Sequence, residues 1–177
     1  MRKFTEGLLD TELIINSLDI KPGQTIIDAG CGTGFMSKIF SQTVSTLGKV
    51  YAVDRDSYFI ELLSKETKGT NIQTILGDIT KIDKLADHSV DIVYVSTVIH
   101  ALPKQKFMAF LKEAKRLLKS NALLAIVEIE KKETPFGPAM ENRYSPEELI
   151  QQVPMVSLET LMVGDHFYMQ VFRNAGK

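Results

Sequence analysis

The chain has 177 residues, of which 44% are hydrophobic and 24% charged, and this usage suits one globular domain over residues 1–177 with a sizeable core. A formal net charge of −1 gives no overall attraction to nucleic acid or to an anionic membrane. A single cysteine excludes an internal disulfide and a cysteine metal cluster, and no apolar run approaches the ~18 residues that span a bilayer. We therefore expect a cytoplasmic protein without a signal peptide, a transmembrane segment or a nucleic-acid partner; the oligomeric state is not readable.

Apolar runs alternate with amphipathic segments of helical length, as is typical of parallel strands joined by helical crossovers. A first helix is predicted from Thr5 to Leu18. Strands are predicted near residues 25–29, 49–53, 72–76, 91–96 and 122–128, with helices between them. A buried helical stripe is predicted from a spacing of three, four and seven in Phe107, Phe110, Leu111, Ala114, Leu117 and Leu118. The sequence therefore predicts an α/β fold.

The first predicted strand runs into a glycine-rich loop. Ile26 and Ile27 are β-branched, as expected of a buried strand, and Gly30, Gly32 and Gly34 follow. Without Cβ atoms, these glycines let the backbone bend tightly, so we expect their amide groups to face a ligand. Asp54 follows Gly34 by 20 residues, at the tip of the next strand, where an acid can accept hydrogen bonds from ribose hydroxyls. The pattern predicts a pocket for a nucleoside-bearing cofactor.

The glycine spacing bears on which cofactor it is. A dinucleotide fingerprint would place its last glycine at position 35, but the chain has Phe35 there and a glycine at position 34. The segment from Asp28 to Gly34 instead resembles motif I of the class I S-adenosylmethionine-dependent methyltransferases, in particular the ubiquinone and menaquinone type and related small-molecule enzymes. The resemblance implies S-adenosylmethionine as cofactor. It also implies a Rossmann-like, mostly parallel seven-stranded sheet with helices on both faces and an antiparallel last strand.

Further segments match that family in order. The segment from Ile75 to Ile79 looks like its third motif, which implies that Asp78 contacts the adenine amino group and that Ile79 packs on the ring. The segment from Val90 to Ser96 looks like the fourth motif and places Ser96 beside the methionine part. Together the glycine loop and these motifs predict ten cofactor residues: Asp28, Gly30, Cys31, Gly32, Gly34, Asp54, Arg55, Asp78, Ile79 and Ser96. Of these, Arg55 either covers the adenosine edge or faces solvent. The family's usual glycine turn before the fifth strand is replaced by Ser120-Asn121, and asparagine tolerates the left-handed conformation.

Two side chains near the expected site invite a catalytic interpretation. His100 follows the fourth strand, where an acceptor should approach, and imidazoles titrate near neutrality, so it is the candidate base or substrate contact. The alternative is that it bonds a neighbouring carbonyl or lines a helix entry. Cys31 lies within the cofactor loop, which favours packing over a role as nucleophile.

The C-terminal third differs in character. Residues 128–144 show no sustained period and carry two prolines around a glycine, which predicts a long loop that is either a substrate lid or a solvated connection. Arg143 and Tyr144 could bind an anionic or aromatic substrate group, although an exposed pair beside a helix start is the alternative. Ser145 then begins a capped helix. A closing hairpin is predicted from the runs at residues 156–163 and 167–172.

Missing sequence features exclude several classes of methyl acceptor. The chain lacks the Pro-Pro-aromatic segment that base amino-group methyltransferases carry after the fourth strand, and one cysteine cannot support arsenite methylation or cytosine C5 chemistry. The expected function is direct in-line methyl transfer to an unidentified small molecule. The alternatives are a protein-directed methyltransferase, a relative that only binds the cofactor, and an NAD-binding oxidoreductase.

Overall fold

The computed structural model describes residues 6–176 as one seven-stranded sheet with five α-helices. The strands are β1 (Thr25–Ala29), β2 (Lys49–Asp54), β3 (Ile72–Leu76), β4 (Val90–Ser96), β5 (Leu118–Ile129), β6 (Val156–Met162) and β7 (Phe167–Arg173). The helices are α1 (Thr11–Ser17), α2 (Phe35–Val44), α3 (Ser57–Glu66), α4 (Lys104–Leu117) and α5 (Pro146–Gln152). Short 3₁₀ helices lie at Ile99–Ala101 and Met140–Asn142.

The strand order is β3-β2-β1-β4-β5-β7-β6. Strands β1 to β5 pair in parallel, whereas β7 is antiparallel to both β5 and β6. The connection from β1 leads to β2 on one side and the connection from β4 leads to β5 on the other, so a crevice opens between the carboxyl ends of β1 and β4. The predicted mostly parallel sheet with an antiparallel last strand is confirmed.

Two hydrophobic cores lie on opposite faces of this sheet, because successive strand side chains point to opposite sides. Ile27 and Val93 pack in one core with residues of α4 and α5. Ile26 and Ile92, their strand neighbours, pack in the other core with residues of α1 and α2. The predicted stripe is buried throughout, which confirms that it is core, although its last residue, Leu118, begins β5 and is not part of α4.

The predicted element boundaries hold with two exceptions. The first helix begins at Thr11, because the Asp10 carboxylate accepts a hydrogen bond from the backbone N–H of Leu13 and caps the helix there; Thr5 lies outside the described residues. Strand β5 runs from Leu118 to Ile129, so it begins four residues before the predicted strand at 122–128. Glu128, which the predicted strand and the predicted loop shared, belongs to the strand. Asn121 adopts φ +64°, the left-handed turn conformation predicted for it.

The C-terminal third follows the predicted order of loop, helix and hairpin. Ser145 and Glu148 form the reciprocal capping box that begins α5, since each side chain accepts from the other's backbone N–H. The hairpin of β6 and β7 closes the sheet. In the described part of the chain, no helix is long and apolar enough to cross a membrane.

Candidate functional site

A cavity of about 420 Å³ occupies the crevice between β1 and β4, and we call it the glycine-loop cavity. Its wall is formed by Gly30, Asp54, Arg55, Gly77, Asp78, Ile79, Thr97, Val98, Ala101, Leu102, Pro103 and Lys106. Five of the residues predicted to bind the cofactor therefore meet in one space, although they come from three separate segments of the chain. This is the position at which open α/β sheets bind ligands.

Two glycines of the loop are required by close contacts. Gly30 has φ +76°, and a Cβ there would lie 2.5 Å from a methyl group of Val98. Gly34 has φ +74°, and a Cβ there would lie 2.4 Å from a methyl group of Leu63. A side chain at either position would force Val98 or Leu63 to move and would strain the backbone at its positive φ.

The backbone amides of the loop, however, do not all face the cavity as the glycine pattern predicts. The amides of Gly30 and Cys31 donate to the carbonyl of Val53, at 2.7 and 3.0 Å, and that of Gly34 donates to the carbonyl of Cys31. The loop thus uses these donors to dock onto β2, so for these amides the expectation of free ligand-facing donors is wrong.

Asp54 connects the loop to the tip of β2. Its Oδ2 accepts from the backbone N–H of Gly32 at 2.8 Å, and its Oδ1 accepts from the backbone N–H of Asp56 at 2.9 Å. Each carboxylate oxygen has a second lone pair, and the residue forms part of the cavity wall. The carboxylate can therefore hold the loop in place and still accept hydrogen bonds from a ligand.

Asp78 also lies in the cavity wall, and it is paired with a residue that the sequence patterns do not single out. Its Oδ2 accepts from Lys106 Nζ at 2.8 Å, and its Oδ1 accepts from the backbone and the hydroxyl of Thr80. Chiefly because of the hydrogen bond from Lys106, the pKa of Asp78 is lowered to about 2. The carboxylate is thus ionised at neutral pH and oriented by both neighbours.

Asp28 lies behind the loop. It is buried, accepts from the Ser37 hydroxyl at 2.5 Å, and has its pKa raised to about 6, mainly by burial. Burial also raises the pKa of the Cys31 thiol, as expected of a packed residue and not of a nucleophile. The cavity wall leaves out Asp28, Cys31, Gly32, Gly34 and Ser96, and their roles as cofactor ligands stay predictions.

A second cavity of about 450 Å³ adjoins the first, and we call it the histidine cavity. Its wall is formed by Thr97, His100, Ile129, Phe136, Gly137, Pro138 and Phe167. Thr97 belongs to both walls, so the two cavities meet just beyond the end of β4. The rings of Phe136 and Phe167 are 6.1 Å apart and make one side of the histidine cavity aromatic.

Thr97 has an unusual backbone conformation for a β-branched residue, with φ +55°. It is held there by a 2.8 Å hydrogen bond from its N–H to the carbonyl of Val127 and by another from its hydroxyl to the carbonyl of Ser96. Such conformations cost about 1–3 kcal/mol and concentrate at functional sites. No sequence pattern marks Thr97, because the conformation is imposed by pairing with β5.

His100 is held by a buried acid from the end of β5. Its Nδ1 lies 2.8 Å from Glu128 Oε2, and Glu128 is 1% exposed. The other oxygen of Glu128 accepts from the backbone N–H of Ile99 at 3.0 Å and from that of His100 at 3.4 Å. The carboxylate therefore fixes both the ring and the backbone around it. Glu128 was missed at the level of sequence, although an acid within an otherwise apolar strand was a usable signal.

Arg143 shapes the loop over the histidine cavity, and it is buried, which contradicts the interpretation as an exposed pair with Tyr144. Its guanidinium donates to the carbonyls of Glu130, Lys132, Phe136 and Pro138 and to the Thr134 hydroxyl. Tyr144 is half-buried, with its ring 5.2 Å from that of Phe107. With its donors engaged in this way, Arg143 holds the loop and has no pair of free N–H groups for an anionic substrate group.

Comparison with known proteins identifies the architecture. Residues 27–126 match the family model described as a methyltransferase domain, which covers more than half of the chain. The chain belongs to the methyltransferase domain family. A crystal structure of a SAM-dependent methyltransferase from Aquifex aeolicus is 27% identical and superposes with a TM-score of 0.86, covering 97% of this chain and 93% of that one.

Curated relatives agree with this family. A demethylmenaquinone methyltransferase from Staphylococcus saprophyticus is 28% identical over 123 residues, which are 69% of this chain and 52% of that protein. A probable ribosomal RNA small subunit methyltransferase A from Thermococcus sibiricus is 35% identical over 68 residues, which are 38% of this chain and 24% of that protein. The chain spans about half the length, or less, of these relatives.

The predicted membership of the class I S-adenosylmethionine-dependent methyltransferases is therefore confirmed, and so are the Rossmann-like fold and S-adenosylmethionine as cofactor. The dinucleotide interpretation is not supported, in agreement with Phe35 at the position of its last glycine.

Proposed function

We propose that the protein transfers the methyl group of S-adenosylmethionine to a small-molecule acceptor bound in the histidine cavity. The observation that carries the proposal is the shared wall at Thr97, which joins a cavity lined by the predicted cofactor residues to a second, largely apolar one. In-line transfer needs such an arrangement, because the acceptor atom must approach the methyl group from the side opposite the sulfur.

The size and lining of the histidine cavity support a small acceptor. Its volume lies within the ~300–1,000 Å³ typical of small-molecule sites. Phe136, Gly137 and Pro138 of the loop line it, as expected of a loop that covers a bound ligand. A protein-directed enzyme would instead need an open acidic groove for a lysine or arginine side chain, and among residues 6–176 no acid lies in this wall.

The relatives are named for different classes of acceptor, so their names alone do not indicate which class this protein methylates. They include a demethylmenaquinone methyltransferase, a probable ribosomal RNA methyltransferase and, from Methanococcus maripaludis, a protein-L-isoaspartate O-methyltransferase that is 30% identical over 98 residues. The small-molecule proposal therefore depends on the cavity. A cytoplasmic location and a single domain stay predictions.

The test separates cofactor binding from acceptor binding. Titration calorimetry should detect binding of S-adenosylmethionine and none of NADH. Pro138→Trp, which fills the histidine cavity, should abolish methyl transfer to small acceptors while cofactor affinity stays within about twofold. Pro135→Trp, on the exposed part of the same loop, is the matched control and should behave like wild type. Full transfer by Pro138→Trp would contradict the placement of the acceptor.

A further inference from the structure

We propose that His100 and Glu128 act as a general-base pair for an acceptor that carries an ionisable hydroxyl on an aromatic body. His100 is the catalytic residue, because its ring lines the histidine cavity, and Glu128 is a positioning residue that acts through it. The inference rests on the proposed function and assigns the acceptor class.

The hydrogen bond between the two side chains determines which nitrogen is the base. The Glu128 carboxylate can only accept hydrogen bonds, so the 2.8 Å contact requires the hydrogen to be on Nδ1 of His100. A neutral imidazole then presents its lone pair at Nε2, on the opposite edge of the ring. Among residues 6–176, no protein atom is hydrogen-bonded to Nε2, and the side chain keeps 20% exposure, so this nitrogen is open to a ligand.

The charges around the pair favour this protonation pattern. Glu128 is the charged group that is hydrogen-bonded to the ring. Burial chiefly raises the pKa of the Tyr144 and Tyr168 phenols, and the charges of Glu148 and Glu128 raise it further, so both phenols are neutral neighbours of the pair. No cation is paired with Glu128 among the described residues other than the imidazole that forms on proton uptake. The buried carboxylate is therefore available to stabilise that imidazolium.

The residues that line the histidine cavity favour an acceptor with an aromatic ring. Phe136, Phe167 and Ile129 offer aromatic and aliphatic surface, so a flat apolar ring would bury its area here while its polar atom meets His100. A phenol combines such a ring with a proton that must leave before the oxygen becomes a good nucleophile.

The step balances without any further reactant. Nε2 of His100 takes the phenolic proton, the phenolic oxygen forms a bond to the methyl carbon, and the bond between that carbon and sulfur breaks with its electron pair going to sulfur. The cationic S-adenosylmethionine becomes neutral S-adenosylhomocysteine, the phenol becomes its methyl ether, and the positive charge ends on the imidazolium beside Glu128. Solvent then takes the proton.

Glu128→Gln tests the pair with little change in shape. The amide oxygen can still accept from the backbone N–H of Ile99, whereas the NH₂ group faces Nδ1 and forces the hydrogen of His100 onto Nε2. The variant therefore keeps the contacts that fold the site and removes the base. Glu141→Gln, an exposed acid on the same loop, is the matched control.

The acceptors are 4-methylphenol and 4-methylbenzenethiol, which share a ring but differ in their need for a base, because the thiol is largely thiolate at pH 8. We expect wild type to methylate both. Glu128→Gln and His100→Gln should lower kcat on the phenol by ~100- to 10,000-fold. KM and the turnover of the thiol should stay within about threefold, and the rise of kcat with pH on the phenol should be lost.

Equal losses on both acceptors, or wild-type turnover by Glu128→Gln, would overturn the base assignment. Thiol transfer without phenol transfer by wild type would overturn it and leave the proposed function standing. Failure to bind S-adenosylmethionine, or transfer to neither acceptor, would overturn the proposed function together with this inference.

Nitrogen NMR of ¹⁵N-histidine-labelled protein adds a readout independent of turnover. His88 is an internal reference, because its Nδ1 lies 3.0 Å from the carbonyl of Leu118 and must also carry the hydrogen. In wild type, both His100 and His88 should carry the hydrogen on Nδ1. In Glu128→Gln, the hydrogen of His100 should move to Nε2, and that of His88 should stay on Nδ1. Hydrogen on Nε2 of neutral wild-type His100 would overturn the proposal.

Discussion

The glycine-loop cavity and the histidine cavity meet at Thr97 but are built by different means. The first is formed by short turns that follow parallel strands, and its loop is docked by hydrogen bonds to Val53 and Asp54. The second is covered by a long loop held chiefly by one arginine, Arg143. The glycine-loop cavity is thus part of the sheet, whereas the histidine cavity is covered by an addition to it. If the first binds the cofactor and the second the acceptor, as proposed, substitutions in one should leave binding in the other unchanged.

The largest effect on cofactor affinity is expected at Asp54. Asp54→Ala removes the acceptor for the Gly32 amide and the predicted acceptor for the ribose hydroxyls, and bonds to a charged group contribute about 1.5–3 kcal/mol each. Affinity for S-adenosylmethionine should fall ~100-fold or more by titration calorimetry. Asp83→Ala, an exposed acid outside both cavities, is the control. If Asp54→Ala bound S-adenosylmethionine as tightly as wild type, the placement of the cofactor in the glycine-loop cavity would be wrong.

Asp28 should make stability depend on pH in an unusual direction. Because burial raises its pKa from 3.8 to about 6, the native state holds a proton that the unfolded chain releases between these values. Stability from this group is therefore full below pH 3.8 and falls as the pH rises to about 6, by about 2–3 kcal/mol. Urea unfolding across pH 4–7 should show that Asp28→Asn flattens this fall. Asp83→Asn should keep it, and an equal fall in both variants would contradict the assignment.

A substitution at Arg143 tests the histidine cavity, where we propose that the acceptor binds. Arg143→Met leaves the loop carbonyls without their donor, so the histidine cavity should lose its shape, and KM for small acceptors should rise ~10-fold. Cofactor affinity should stay within about twofold, which steady-state kinetics and calorimetry would measure together. Arg173→Met, at the exposed end of β7, is the matched control. A loss of cofactor affinity in Arg143→Met would show that the two sides are coupled.

The smallest effect is expected at Lys106. Lys106→Met removes the ammonium that lowers the pKa of Asp78, but the carboxylate keeps both hydrogen bonds from Thr80 and stays ionised at neutral pH. Cofactor affinity at pH 7.5 should change by no more than about threefold, because the exposed pair is screened by solvent. The variant should lose affinity at a higher pH than wild type when the solution is acidified, since the pKa of Asp78 moves back towards 3.8. Calorimetry between pH 2.5 and 7.5 measures this shift, and Lys104→Met is the control.

Local patterns predicted the sheet, the glycine loop and the acids at the strand tips because each depends on neighbours close in sequence. Glycine spacing, alternating apolar residues and the Ser145 cap all belong to this class. Three features of the site do not: Glu128 meets His100 from 28 residues away, Thr97 is constrained by Val127, and Arg143 reaches back across the loop. Their roles depend on strand pairing and loop closure, which no local spacing encodes. The prediction that the loop amides face the ligand failed for the same reason, because the amides of Gly30 and Cys31 bind the carbonyl of Val53 on another strand.

The way in which Arg143 holds its loop has a consequence for how such an enzyme can change. Four of its five acceptors are backbone carbonyls, which every residue type supplies. The loop can therefore exchange most of its side chains without losing its course, provided that Gly137 is kept, where a Cβ would lie 2.6 Å from Ile129. Under the proposed function, the acceptor preference could then change by substitution at Phe136 and Pro138 alone, while the glycine-loop cavity and the pair of His100 and Glu128 stay as they are. A library randomised at these two positions is the natural starting point for redesign of the acceptor.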